Sequence, residues 1–144
     1  MNTMHHVAEH SSPLTLLETQ LNAAALMSFP RWLRVFAETV YTHAETHRSW
    51  YENGLGSAGS PEREQFSQLL KKAVRNQYAS DYMTLDTSYA ASYPGLLIQH
   101  IVSATVDSLA YWLSRRQAPP LTSRISVHQE LLMSIFTLYT TVKE

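Results

Sequence analysis

Apolar residues recur at three- and four-residue steps along most of the chain, and each such stretch is bracketed by a proline or a capping residue. Leu14, Leu17, Leu21 and Ala24 or Ala25 make the first stripe. Ser12 offers a cap, and Pro13 takes the first helical position, where its missing N–H would have had no partner. Pro30 disfavours helical backbone at the residue before it, so the spacing predicts a helix over residues 13–27. Leu33, Phe36, Val40, Ala44 and His47 mark one face of a second helix, which opens at Pro30 and ends in the turn cluster Asn53, Gly54, Gly56, Gly59 and Ser60. Ser60 caps a third helix, with Pro61 at its first position, Glu62 and Glu64 in its first turn, and a face of Phe66, Leu69, Leu70, Ala73, Val74 and Tyr78.

Residues 81–93 have weak periodicity and several turn-formers, and read as a connection with one or two helical turns. From Tyr93 or Pro94 the stripe Leu97, Ile101, Ala104, Thr105, Ser108, Leu109 and Trp112 makes a long fourth helix that stops at 117–120. Ser126-x-x-Gln129 is a capping-box pattern, and Leu131, Leu132, Ile135, Phe136 and Tyr139 supply the apolar face of a last helix reaching Val142. There is no strand candidate and no internal repeat. The expected fold is all-α: an antiparallel bundle of about five helices over residues 13–144, behind a polar N-terminal arm over residues 1–12.

Composition narrows the function. With 144 residues, 44% hydrophobic and 16% charged, the chain has room for one domain of ordinary size. A formal net charge of -1 leaves no overall field to draw in phosphate backbones or anionic lipid, so direct nucleic-acid binding is not expected. The absence of cysteine excludes disulfides, thiolate nucleophiles and sulfur-based metal sites. No secretory signal is evident, and the longest apolar stretch, residues 96–113, is interrupted by Gln99, His100 and Asp107, so a membrane role is not expected and the cytoplasm is the default location.

The tempting local chemistry is His43-Ala44-Glu45-Thr46-His47, since two histidines four apart lie about 40° from each other on a helix and can share a metal ion. A zinc-protease pattern would place its glutamate directly after the first histidine, where Ala44 stands; Glu45 lies about 200° away around the helix. His43-x-Glu45 also matches the opening of a deaminase signature whose zinc site is completed by cysteines, which are missing. Phosphate-binding loops, nucleophile elbows and di-iron pairs are missing as well. The expectation is no enzyme, no catalytic residue, no metal and no cofactor. The runner-up is a metal-dependent, hydrolase-like bundle using His43, His47 and His100, with His128 as another possible third ligand. A scaffold domain with no small ligand is a third class.

Large rings are unusually dense: Trp32, Phe36, Tyr41, Trp50 and Tyr51, then Phe66 and Tyr78, then Tyr111 and Trp112. A cavity between helices would be lined in this way, and Trp32, Phe36, His43, His47, Trp50, Phe66, His100 and Tyr111 are the expected ligand-binding residues, suited to a hydrophobic or aromatic small molecule; the alternative for each ring is plain core packing. Lys71, Lys72 and Arg75 read as a solvated basic face. The last helix is apolar over more than one stripe, and the fourth mixes small with large side chains. A terminal helix of a small bundle cannot bury two faces alone, which implies a homodimer; the alternative is that this helix is central to the bundle. Its expected interface is Leu97, Ile101, Ala104, Thr105, Ser108, Leu109, Leu132, Ile135, Phe136 and Tyr139.

The order of these features resembles the C-terminal ligand-binding and dimerisation domain of TetR-family transcriptional regulators. The resemblance is carried by FAETVYTHAETHRSWYENG (36–54), by the helix over 66–78, and by IQHIVSATVDSLAYWL (98–113) with the polar spacer and apolar helix that follow it. It covers about residues 14–142 and is one of pattern and order, with the Trp112-Leu113 ending its most specific piece. The resemblance implies transcription regulation: effectors bound inside the bundle, and a four-helix dimer interface built from the last two helices. The chain departs from the pattern ahead of Leu14, where it carries only the polar arm and no helix-turn-helix, so it is expected to have no DNA-binding head of its own.

Overall fold

In the computed structural model, which describes residues 13–23, 27–84, 89–91 and 93–142, six helices carry nearly all of the described chain. They are α1 (Leu14–Asn22), α2 (Phe29–Thr46), α3 (Arg48–Leu55), α4 (Pro61–Thr84), α5 (Pro94–Leu113) and α6 (Leu121–Tyr139). Helix α2 runs through the middle: it packs chiefly on α6, while α5 lies against α3, α4 and α6. Its buried residues include Trp32, Phe36 and Tyr41, and with Phe29, Tyr51 and Phe66 these are among the largest fully buried side chains. The density of rings noted in the sequence is therefore largely a core. Phe29, Trp32 and Phe36 follow one another along α2, with ring centroids 6.2 Å and 5.1 Å apart.

Five expected helices become six because the second is broken at His47, whose backbone leaves the helical region at φ −113° and ψ 44°. His43 and Tyr51 are eight residues apart, about 12 Å along a straight helix. The break turns α3 back so that the Tyr51 hydroxyl lies 2.8 Å from Nδ1 of His43. One tertiary hydrogen bond thus overrides a continuous amphipathic pattern.

The start of α4 follows the sequence closely. Ser60 Oγ accepts the N–H of Arg63 at 3.0 Å, which is the N-cap bond the sequence implies. Arg63 then joins three elements, donating to the carbonyl of Leu55 at 2.9 Å and to Asp107 of α5 at 2.8 Å. Gly54, expected to end a helix, lies inside α3. Its role is close approach, since a Cβ there would meet Cβ of Glu62 at 2.8 Å, and the left-handed turn falls to Gly59 at φ 84°.

Two further boundaries differ. Helix α6 begins at Leu121, so the Ser126 capping box lies inside the helix and caps nothing. The start is fixed instead by Arg124, a buried residue whose guanidinium donates to the carbonyl of Pro119 at 2.9 Å and to Glu45 of α2 at 3.1 Å. Helix α6 also ends at Tyr139, three residues short of Val142, because β2 (Thr140–Val142) pairs antiparallel with β1 (Tyr89–Ala91) in the register Tyr89 to Val142. The sequence offers no strand candidate, and a three-residue pairing across the chain has no local signature. Helix α1 ends at Asn22, short of the expected residue 27, with the Ala23 N–H donating to the Thr19 carbonyl at 3.0 Å, and residue 27 is not helical. The expected cap at Ser12 and the N-terminal arm lie outside the described residues. Among the described residues no helix is long and apolar enough to cross a membrane.

Candidate functional site

Two buried histidines organise two concave regions on opposite sides of α2 residues 41–43. The first region is a groove of about 570 Å³ between α1, α2 and α6, whose walls include Leu16, Gln20, Glu38, Thr42, His43, His47 and Ile125. His43 is already fully engaged here. A carbonyl can only accept, so Nε2–H donates to the carbonyl of Pro13 at 2.9 Å, which leaves Nδ1 to accept the Tyr51 O–H. Burial, and the neighbouring His47 after it, push the His43 pKa down, opposed by the bond to Pro13. The ring stays neutral and holds the start of α1 to the α2–α3 bend.

The second region is a cleft of about 240 Å³ between α2, α5 and α6, lined by Tyr41, Asp107, Ser108, Tyr111, Trp112, Val127, His128 and Leu131. Thr105 Oγ1 donates its single proton to the carbonyl of Ile101 at 2.8 Å. The contact of 2.9 Å between that oxygen and Nε2 of His128 is therefore an N–H donated by the histidine, and Nδ1 carries the lone pair. Burial lowers the His128 pKa from 6.5 to about 4, so the neutral acceptor persists across the physiological range. The Tyr41 ring lies against that of His128, with centroids 4.9 Å apart.

Tyr41 is the second half of this site. Among the described residues, two buried side-chain polar atoms have no hydrogen-bond partner, Trp32 Nε1 and the Tyr41 hydroxyl. Trp32 is enclosed by Phe29 and Phe36, inside the core. Tyr41 lines the cleft. Ser108 and Trp112 lie beside its hydroxyl and, with Arg124, oppose the effect of burial, but neither makes a hydrogen bond of good geometry. Burial prevails and raises the pKa to about 12, so Tyr41 keeps its proton. An unpaired buried hydroxyl costs roughly 1–3 kcal/mol.

The residues expected to bind ligand are dispersed by this arrangement. Trp32, Phe36 and Phe66 are core residues with no exposure. Trp50 is half-buried and edges onto Tyr51, His43 and His47 line the groove, and Tyr111 alone lines the cleft. His100 sits on the outer side of α5, with its ring 5.8 Å from that of Tyr139. His43 and His47 do meet, with ring centroids 4.5 Å apart, but both nitrogens of His43 are engaged by protein groups. No group of three or more His, Cys, Asp or Glu residues among the described residues is placed to hold a metal ion.

The residues expected at a dimer interface are mostly internal: Leu97, Ile101, Thr105, Leu109, Leu132, Ile135 and Phe136 are buried within the single chain, while Ala104, Ser108 and Tyr139 are half-buried. The apolar side chains that α5 and α6 leave exposed are Leu96, Tyr111, Val127, Leu131 and Leu138. Tyr41, Trp112 and His128 entered the sequence reading as large rings or a spare metal ligand. One signal does mark His128. It stands four residues before Leu132 and seven before Ile135, on the buried stripe of α6.

No family model matches the chain, and neither the curated proteins nor the solved structures contain a significant match to it. The resemblance to TetR-family regulators therefore rests on the pattern of the chain itself.

Proposed function

We propose that the chain is an effector-sensing and self-associating domain of the kind found in TetR-family transcriptional regulators, working as a homodimer through the outer faces of α5 and α6. The observation that carries this reading is a coincidence of surfaces. Val127, Leu131 and Leu138 form one exposed apolar stripe on α6 beside Tyr111 of α5, and Tyr111, Val127 and Leu131 are also walls of the cleft. Leu138 is 72% exposed and Val127 59%, more than a lone chain gains from burying them. A second copy seated on this stripe covers the cleft mouth, so occupancy of the cleft and the geometry of association are linked through shared side chains.

The reading favours a sensor because the cleft couples an exposed apolar rim, Tyr111, Val127 and Leu131, to two buried polar residues, Tyr41 and His128. Static light scattering at micromolar concentration tests it directly. The expected mass is twice that of the 144-residue chain, falling to the single-chain mass in Leu138→Glu, a change at a side chain the fold does not bury. A wild-type protein that stays at the single-chain mass removes the proposal.

A further inference from the structure

We infer that α6 pairs antiparallel with α6 of a second copy, and that the partner's Leu138 seats in the mouth of the cleft between α2, α5 and α6. This rests on the self-association proposed above and deepens it, by fixing the arrangement of the two copies and the side chain that closes the cleft.

The stripe on α6 carries the argument. Val127, Leu131, Ser134 and Leu138 are all exposed and follow one another at steps of four, three and four, the spacing of a seam between two helices. At about 100° per residue they fall within roughly 60° around α6, and residues 127 and 138 lie about 16 Å apart along it. A parallel pairing sets each residue on its own copy, with a gap where Ser134 meets Ser134. An antiparallel pairing centred between Leu131 and Ser134 sets Leu131 on the partner's Ser134 and Val127 on the partner's Leu138. Each leucine then meets a smaller side chain.

The surface beside the stripe has matching hollows. Val127 and Leu131 form the α6 wall of the cleft of about 240 Å³, with Tyr111 and Trp112 on the α5 wall, and the partner's Leu138 comes down at that mouth. A second, more open depression surrounds Ser134, between Glu130, Met133, Thr137 and Leu138, and takes the partner's Leu131. Each copy thus carries two knobs and two hollows related by one two-fold axis, which a second copy of this chain requires and an unrelated partner does not.

Area and charge agree with this occupant. The exposed parts of Tyr111, Val127, Leu131 and Leu138 amount to on the order of 400 Å², about half of the ~800 Å² that each partner contributes to a standard interface, and about the usual apolar share. Arg34 and Glu130, an exposed pair at 3.9 Å, flank the seam on its α2 side. A two-fold axis across an antiparallel seam brings both such pairs to the same flank, with the two Glu130 residues about 8 Å apart along it, so each Arg34 has the partner's carboxylate near as well as its own.

The chain contains no cysteine, so introduced thiols report on this arrangement without interference. Val127→Cys and Leu138→Cys, both at exposed positions, are each oxidised alone and as an equilibrated mixture, and linked chains are counted by non-reducing electrophoresis. The mixture should form at least about tenfold more linked dimer than either variant alone, because like residues sit about 16 Å apart across the seam and a disulfide needs Cα atoms within about 7 Å. Linking of either variant alone as readily as the mixture overturns the antiparallel arrangement. Light scattering on the wild type separates the two proposals: a wild-type dimer whose mixture does not link removes this arrangement and keeps self-association, whereas a single-chain mass removes both.

Discussion

His43 and His128 are the same residue in nearly the same burial, each next to a tyrosine and each hydrogen-bonded to a neighbouring helix, yet the structure uses them differently. His43 has both nitrogens matched, one by a backbone carbonyl and one by the Tyr51 hydroxyl. His128 has one nitrogen matched by Thr105, and its tyrosine, Tyr41, turns only a ring face toward it and keeps its hydroxyl unpaired. A buried polar network that is complete holds a fold together. One that is incomplete costs stability. Burial therefore does not distinguish the two histidines, whereas the count of satisfied nitrogens does.

The contrast predicts a large loss of stability at the complete site. His43→Ala removes a buried ring and strips two partners at once, leaving the Pro13 carbonyl and the Tyr51 hydroxyl without their bonds. The expected cost is about 4 kcal/mol, a drop of order 10 °C in the unfolding midpoint. Because the bond to Tyr51 accompanies the break at His47, amide exchange around residues 43–51 should rise further than elsewhere in the same variant. A cost under about 1 kcal/mol in urea unfolding would erase the distinction between the two histidines.

Acid tests the other histidine. The folded pKa of His128, about 4, lies below its ordinary value of 6.5. Above pH 6.5 neither the folded nor the unfolded chain holds a proton there, and the contribution to stability is complete. Between pH 6.5 and 4 the unfolded chain takes up a proton that the folded chain refuses, so stability falls by about 1.4 kcal/mol per pH unit, roughly 3 kcal/mol in all. Urea unfolding near pH 7 and near pH 4 measures the slope, and His128→Gln flattens it over that window. A slope unchanged in the variant assigns the acid sensitivity to other groups.

What the chain discloses about itself follows the range of each interaction. Ser60 was legible as a cap because its partner, Arg63, is three residues away, and the limits of α5 were legible because Pro94 and the polar spacer frame a long stripe. The break at His47 was not, since it depends on a hydrogen bond that exists only once α3 has turned back. The capping box at Ser126 misled for a similar reason: Arg124, anchored on Glu45 79 residues away in sequence, carries the helix start back past it to Leu121. At the site, the sequence made the wealth of rings visible but could not sort them. Trp32 and Phe66 fill the core while Tyr111 and Trp112 reach the cleft, a division set by helix packing that no single stripe encodes.

The tyrosines sharpen the comparison with smaller effects. Tyr51→Phe takes away the donor on Nδ1 of His43 and leaves a buried lone pair, at a cost of about 1–2 kcal/mol.

Tyr41→Phe is the same chemical change at a site of similar burial, and it should cost the free protein less than about 0.5 kcal/mol or stabilise it, because the hydroxyl it removes has no partner to lose. Urea unfolding of the two variants side by side reads the difference directly, and equal losses would mean that Tyr41 has a partner in solution. The sign is informative in itself. A hydroxyl that the folded chain is better off without is not explained by stability, whereas that of Tyr51 is.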